Sequence, residues 1–151
     1  MVELIYDEVE KSFINDLEKH ERIVLSTCLE NKVTSRMMCF VYFDQSIYFL
    51  TGRRSNKCKQ IEGNSNVSLC IENIQLEGIA TIIGHPSEKQ NELISNIFGN
   101  KFPFYFNRFA HYKAAVFIKV KIQNVKQWKM EDGRNFYYCL DFNKGKALKH
   151  T

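Results

Sequence analysis

The sequence has almost nothing that would break a strand. Only Pro86 and Pro103 occur in 151 residues, so long extended segments can run uninterrupted. Long apolar runs are missing too. The longest, Met37 to Phe43, is seven residues, against roughly 20 for a helix that crosses a membrane. The N-terminal MVELIYDEVEK is acidic and has no apolar signal core, so the expected location is cytoplasmic. The five cysteines, at 28, 39, 58, 70 and 139, form no CxxC pair, and the four histidines show no HxH or HExxH spacing. Buried free thiols are therefore expected, and no metal site. There is no internal repeat, low-complexity tract or linker, and no Ser/His/Asp-like constellation stands out. The net charge of +4 is too mild to argue for nucleic acid without a concentrated basic face.

What remains is an ordinary globular composition, 44% hydrophobic and 25% charged. The length suits a single domain over 1–151, with a basic tail from about 143 that reads as frayed. Leu4, Ile5, Val9, Phe13, Ile14 and Leu17 recur at helical spacing, predicting a helix over Val2 to His20. "RIVLSTCL" (22–29), Val33 to Phe43 and Ser46 to Leu50 read as strands joined by short turns. Ser55 to Glu62 reads as a short helix closed by Gly63 in a left-handed cap. Two strands follow, Asn66 to Glu72 and Gln75 to His85, the second with Gly78 as its bulge. A helix from Pro86 to Phe98, capped by Ser87 with Gln90, precedes an irregular aromatic stretch, Gly99 to His111. A long strand from Ala114 to Lys129 and a last one from Asn135 to Phe142 complete the pattern. The expected fold is α+β and mainly β: an antiparallel split barrel of about 6–7 strands with a few flanking helices.

The unusual stretch is TGRRSNKCKQ, residues 51–60. Arg53, Arg54, Lys57 and Lys59 crowd the start of a helix, the end that already carries partial positive charge. Each misplaced cation costs roughly 0.3–1 kcal/mol there. An anion bound to the free backbone N–H groups would reverse that penalty. Ser55 would cap or donate its hydroxyl, and Lys57 and Arg54 would add charged hydrogen bonds. A solvated basic loop is the plain alternative.

Three stretches in order, "TSRMM", "YFLTGRRSNKCKQIEGNSNVSL" and "NIQLEGIA", resemble the pyridoxamine 5'-phosphate oxidase-like flavoproteins, whose FMN-binding split barrel includes a short general-stress-protein subgroup. The resemblance runs in register from Ile23 to Gly84 and more weakly to Trp128. It implies roles residue by residue. Arg36, Met37 and Met38 match the strand along the flavin ring. Thr51, Ser55 and Lys57 match the T-x-x-x-S-x-K phosphate grip, and Leu50, just before it, is a further cofactor-binding candidate. Asn56 stands where relatives carry arginine, which leaves Arg53 or Arg54 to supply that charge. Asn73 or Gln75 matches a residue reaching the ring from a partner subunit. Trp128 matches an aromatic at the flavin edge, or else simply ends its strand. Tyr105, Asn107, Arg108 and His111, in the aromatic segment, are candidates for a substrate cavity, with a packed loop beside the barrel as the plainer alternative.

The resemblance also implies FMN as cofactor, a homodimer with FMN at its interface, and a role for NAD(P)H as electron donor. The function expected is an oxidoreductase passing hydride from NAD(P)H through FMN to a small electron-poor acceptor. Vitamin B6 oxidation is not expected: "YYCLDFNKGKALKHT" lacks the family's C-terminal arginine-x-histidine, and Cys39-Phe40-Val41 offers no lysine for a substrate phosphate. A non-catalytic flavin-binding stress protein, a relative that binds a deazaflavin or, through His111 or His150, haem, and a nucleic-acid barrel are the alternatives.

Overall fold

The computed structural model describes all residues, 1–151. Its centre is one long strand, β8 (Ala115–Glu131). In chain order before it come β1 (Val2–Leu4), α1 (Tyr6–Leu17), β2 (Arg22–Leu29), β3 (Lys32–Cys39), β4 (Val41–Phe43), β5 (Ser46–Gly52), α2 (Asn56–Gly63), β6 (Asn66–Ile71) and β7 (Ile74–Gly84). A 3₁₀ turn at Lys89–Asn91, α3 (Glu92–Lys101) and α4 (Pro103–Phe109) lead into β8, and β9 (Arg134–Asp141) and β10 (Lys146–His150) follow it. All pairings are antiparallel, and the main path runs β1-β10-β9-β8-β7-β6-β2-β3.

The split arises at β8. Along one edge it pairs with β7; along the other it gives Ala115–Lys121 to β5 and Asn124–Glu131 to β9. The sheet therefore forks instead of closing, and the fold is the expected α+β split barrel. Alternation explains which residues face inward. β2 buries Ile23, Leu25 and Thr27, and β7 buries Ile74, Leu76 and Ala80. β5 is buried on both faces. Ile47 and Phe49 join the main core with Phe13 and Leu17 of α1, while Tyr48 and Leu50 join a second core under α3 and α4 around Phe98 and Phe117. No helix is long and apolar enough to cross a membrane.

Several expectations are corrected. Val2–Leu4 is not helical: it pairs with β10, so the tail expected to fray is a strand between β1 and β9. The strand expected over 33–43 breaks at Phe40, whose N–H turns to Glu21 O at 3.2 Å. These changes raise the strand count to ten. Gly63 is not left-handed; it is the last residue of α2, where a Cβ would stand 2.5 Å from Leu29 Cδ1. Glycine is needed at 78 for a similar reason, since a Cβ there would meet Lys121 O at 2.6 Å. The extra bulge residue itself is Gln123, on the facing strand. Ser87 does not cap a helix; it hydrogen-bonds His85 Nδ1 at 2.8 Å. The aromatic stretch is not irregular throughout: Pro103 opens α4 from the first turn, the helical position that needs no N–H.

Candidate functional site

β5 delivers the chain to α2 through Thr51 and Gly52, and Ser55 stands at the cap position in extended conformation, φ −66° and ψ 155°. A serine there ordinarily accepts a hydrogen bond from the helix's first turn. Ser55 makes none, and its Oγ is the one buried side-chain polar atom without a partner. A buried hydroxyl left open costs roughly 1–3 kcal/mol, which a partner atom would remove.

The charges around it are equally unbalanced. The first turn of α2 holds no acidic residue. Arg53 is paired with Glu62, but Arg36, Arg54, Lys57 and Lys59 join none of the ion pairs. Lys57 is half-buried, and its Nζ donates to Thr51 Oγ1 at 2.9 Å. Burial holds its pKa below the ordinary lysine value, and the charge of Arg36 pushes the same way, opposed only by Cys58. Burial lowers the Arg36 pKa as well. Two desolvated cations that repel one another, with no carboxylate between them, are stabilised by an external anion.

The structure gathers Arg36, Thr51, Ser55, Asn56 and Lys57 about the start of α2. The Arg36 guanidinium reaches Leu25 O at 3.2 Å, Thr27 Oγ1 at 2.8 Å and Thr34 Oγ1 at 2.6 Å. Asn56 Nδ2 reaches Gln60 Oε1 at 3.5 Å. Leu50 is buried, and its carbonyl accepts from Tyr105 Oη at 3.1 Å. Met37 and Met38 point to opposite faces of β3. Met37 is 55% exposed, and Met38 packs on the main core. β3 ends the sheet path, so only one of its edges is paired.

Three candidates lie elsewhere. Asn73 sits in the β6–β7 turn and is joined to Trp128 twice: Asn73 Nδ2 donates to Trp128 O at 2.7 Å, and Trp128 N donates to Asn73 O at 3.1 Å. Gln75 follows on β7 and lines a cavity of about 540 Å³ with Lys126, Cys139 and Lys146. Thr51 pairs with Val116 near the start of β8. Trp128 is twelve residues further on, about 40 Å along an extended strand. Thr51 and Trp128 therefore stand toward opposite ends of β8.

Of the aromatic-segment candidates, Tyr105 lines a cavity of about 350 Å³ beside Thr51, with Phe109 and Tyr112. Asn107, Arg108 and His111 do not line it. His111 Nδ1 lies 3.2 Å from Asn107 O, and Arg108 stacks on Phe109. Sequence reasoning missed Thr27, Thr34 and Gln60, which surround Arg36. Nothing local distinguishes a buried glutamine in "KCKQIEG" from one on a solvated helix face.

Comparison with known proteins bears on this arrangement. A family model described as pyridoxamine 5'-phosphate oxidase matches residues 9–129. The chain belongs to this pyridoxamine 5'-phosphate oxidase family. The match spans every candidate from Arg36 to Trp128. A search of curated proteins finds no match. Among crystal structures, the chain is similar to general stress protein 26 from Bacillus anthracis str. Sterne (24% identity, TM-score 0.64, covering 78% of this chain and 92% of that one). It is also similar to a pyridoxamine 5'-phosphate oxidase-related, FMN-binding protein from Nostoc punctiforme (11%, TM-score 0.67, covering 100% of both). A third is HutZ, the haem storage protein of Vibrio cholerae (12%, TM-score 0.67, covering 76% and 90%). At these identities the structural likenesses speak for the fold.

Proposed function

We propose that this member of the pyridoxamine 5'-phosphate oxidase family binds FMN between two copies of itself. The carrying observation is the orphaned Ser55 Oγ beside Lys57 and Arg36, two half-buried cations that join no ion pair. A phosphate monoester fits that set: it accepts from the hydroxyl, the ammonium, the guanidinium and the free N–H groups of α2. Arg54 is exposed at the same turn and adds long-range attraction. The unpaired edge of β3 at Met37 and Met38 would present backbone groups to the polar rim of the ring. Asn73 and Trp128 lie toward the other end of β8 from Thr51, with Gln75 close by on β7. They would complete the site of a second copy.

Bound FMN supplies the redox chemistry. The chain's part is to hold the phosphate, orient the ring and place positive charge nearby. Reduction of a small electron-poor molecule at the expense of NAD(P)H is the activity this reading favours, since no acid–base constellation is needed. The likeness to the FMN-binding protein of Nostoc punctiforme supports the choice of flavin.

The test is a titration of the purified protein with FMN and with riboflavin, which lacks the phosphate. FMN should bind at least about tenfold more tightly, the value of one charged hydrogen bond. Equal affinity would remove the phosphate from the start of α2. Mixing Lys57→Glu chains with Trp128→Ala chains tests the shared site. A mixed pair regains one intact site if the two groups come from different copies, and none if they come from one. Anaerobic bleaching by NADH or NADPH separates a reductase from a flavin carrier.

A further inference from the structure

Gln60 is 4% exposed, on the inner face of α2, and its Oε1 is the meeting point of three elements. Thr27 Oγ1 of β2 lies 2.6 Å from it and Thr34 Oγ1 of β3 lies 2.7 Å away. Arg36 Nη2 and Asn56 Nδ2 approach it at 3.4 and 3.5 Å. Its Nε2 donates to Lys32 O at 3.3 Å. A carbonyl oxygen has two lone pairs, and the two short bonds use them.

Each threonine hydroxyl has a single hydrogen. When both hydrogens go to Gln60, the hydroxyl lone pairs are left facing the other way. There they meet Arg36, with Nη1 2.8 Å from Thr27 Oγ1 and Nη2 2.6 Å from Thr34 Oγ1. The amide thus decides the direction of two hydroxyls, and the hydroxyls hold the guanidinium. Every group in the set is neutral except Arg36, so the cation is fixed without being neutralised.

We infer that Gln60 is a positioning residue: through Thr27 and Thr34 it locks Arg36 beside the start of α2 as an uncompensated charge, and so sets the preference for a phosphorylated over a neutral flavin. This rests on the reading given under Proposed function. An acid at position 60 would keep the hydroxyl bonds and give Arg36 a carboxylate partner, but it would lose the donation to Lys32 O. A methionine would keep the bulk and remove the acceptor.

Gln60→Glu and Gln60→Met are compared with the unaltered chain by FMN and riboflavin titration, by melting temperature, and by ¹⁵N NMR of the Arg36 side chain. Gln60→Glu should lose about tenfold or more in FMN affinity and keep its riboflavin affinity, while melting somewhat lower for the lost bond to Lys32 O. Gln60→Met should speed rotation of the Arg36 guanidinium, which the unaltered chain holds slow. An unchanged FMN-to-riboflavin ratio in Gln60→Glu, or an Arg36 that stays slow in Gln60→Met, overturns the inference. If the unaltered chain itself shows no preference for FMN, the phosphate reading fails, and Arg36 rotation in Gln60→Met alone decides whether Gln60 positions it.

Discussion

Replacing Lys57 by methionine should separate stability from binding. Methionine keeps an unbranched apolar stem and removes the ammonium. In the ligand-free chain that ammonium has one neutral partner, Thr51 Oγ1 at 2.9 Å. Burial and Arg36 both work against its charge. Its charged form is therefore less favourable in the folded chain than in the unfolded one, so removing the charge relieves the fold. Against this stands one lost hydrogen bond, roughly 0.5–1.5 kcal/mol net. The two oppose, and the net change should stay within about 1 kcal/mol, or about 2–4 °C in melting temperature at this chain length. FMN binding has no such offset. Losing a charged hydrogen bond to phosphate costs roughly 1.5–3 kcal/mol, or about 10- to 150-fold in Kd. Riboflavin binding should not change. Calorimetry gives the first quantity and flavin fluorescence titration the second. Equal losses for FMN and riboflavin, or no loss for either, would refute the placement of the phosphate.

The same lysine gives FMN binding a pH profile. Its folded pKa is lowered, so FMN affinity should fall as pH rises through a range below that of an ordinary lysine. Over that range the ligand-free chain should gain stability, because the unfolded state then binds more protons. On the acid side, affinity should weaken below about pH 6, where a phosphate monoester loses its second charge. Titrations across pH, with Lys57→Met as the flat control above neutrality, check both limbs. Gly78→Ala should destabilise by about 1–3 kcal/mol, because its Cβ would press on the Lys121 carbonyl, which cannot move aside. Gly52→Ala, with nothing within 4 Å of its Cβ, should be far milder, and equal denaturant midpoints for the two would contradict the geometry. Phe98→Ala should cost about 3–5 kcal/mol, since Phe98 is fully buried and touches Phe102, Tyr105, Phe106 and Phe117 in the second core. A loss below 1 kcal/mol would mean that core is not needed to hold α3 and α4 on β5.

Local pattern and global pairing account for what the sequence did and did not disclose. β2, β6, β7 and β8 alternate, and alternation is visible without knowing the partner strand. The start of α2 was legible because four cations at a helix N-terminus conflict with elementary electrostatics. β1 and β10 were not: Val2–Leu4 merges into the apolar spacing of α1, and "KALKH" looks like a solvated tail. Only pairing across the whole chain makes either a strand. The break at Phe40 was hidden inside the longest apolar run. Gln60 was hidden for a different reason, since its role depends on two threonines from strands that meet only in three dimensions. The separation of Trp128 from Thr51 likewise needed the register of β5 on β8.

The pairing of Val2 with Lys149 makes each extremity of the polypeptide the template for the other. Trimming a few residues from either end would strip the opposite end of its hydrogen-bonding neighbour as well. Losing the first residues would bare the edge of β10, and losing the last would bare the outer edge of β9, with Phe136, Tyr137 and Tyr138, as a raw surface for unwanted strand addition. A purification tag placed at one end would sit against the other. A loop that sealed the two ends together, with a nick at the Asp132–Gly133 turn, should therefore be a milder alteration than any short deletion.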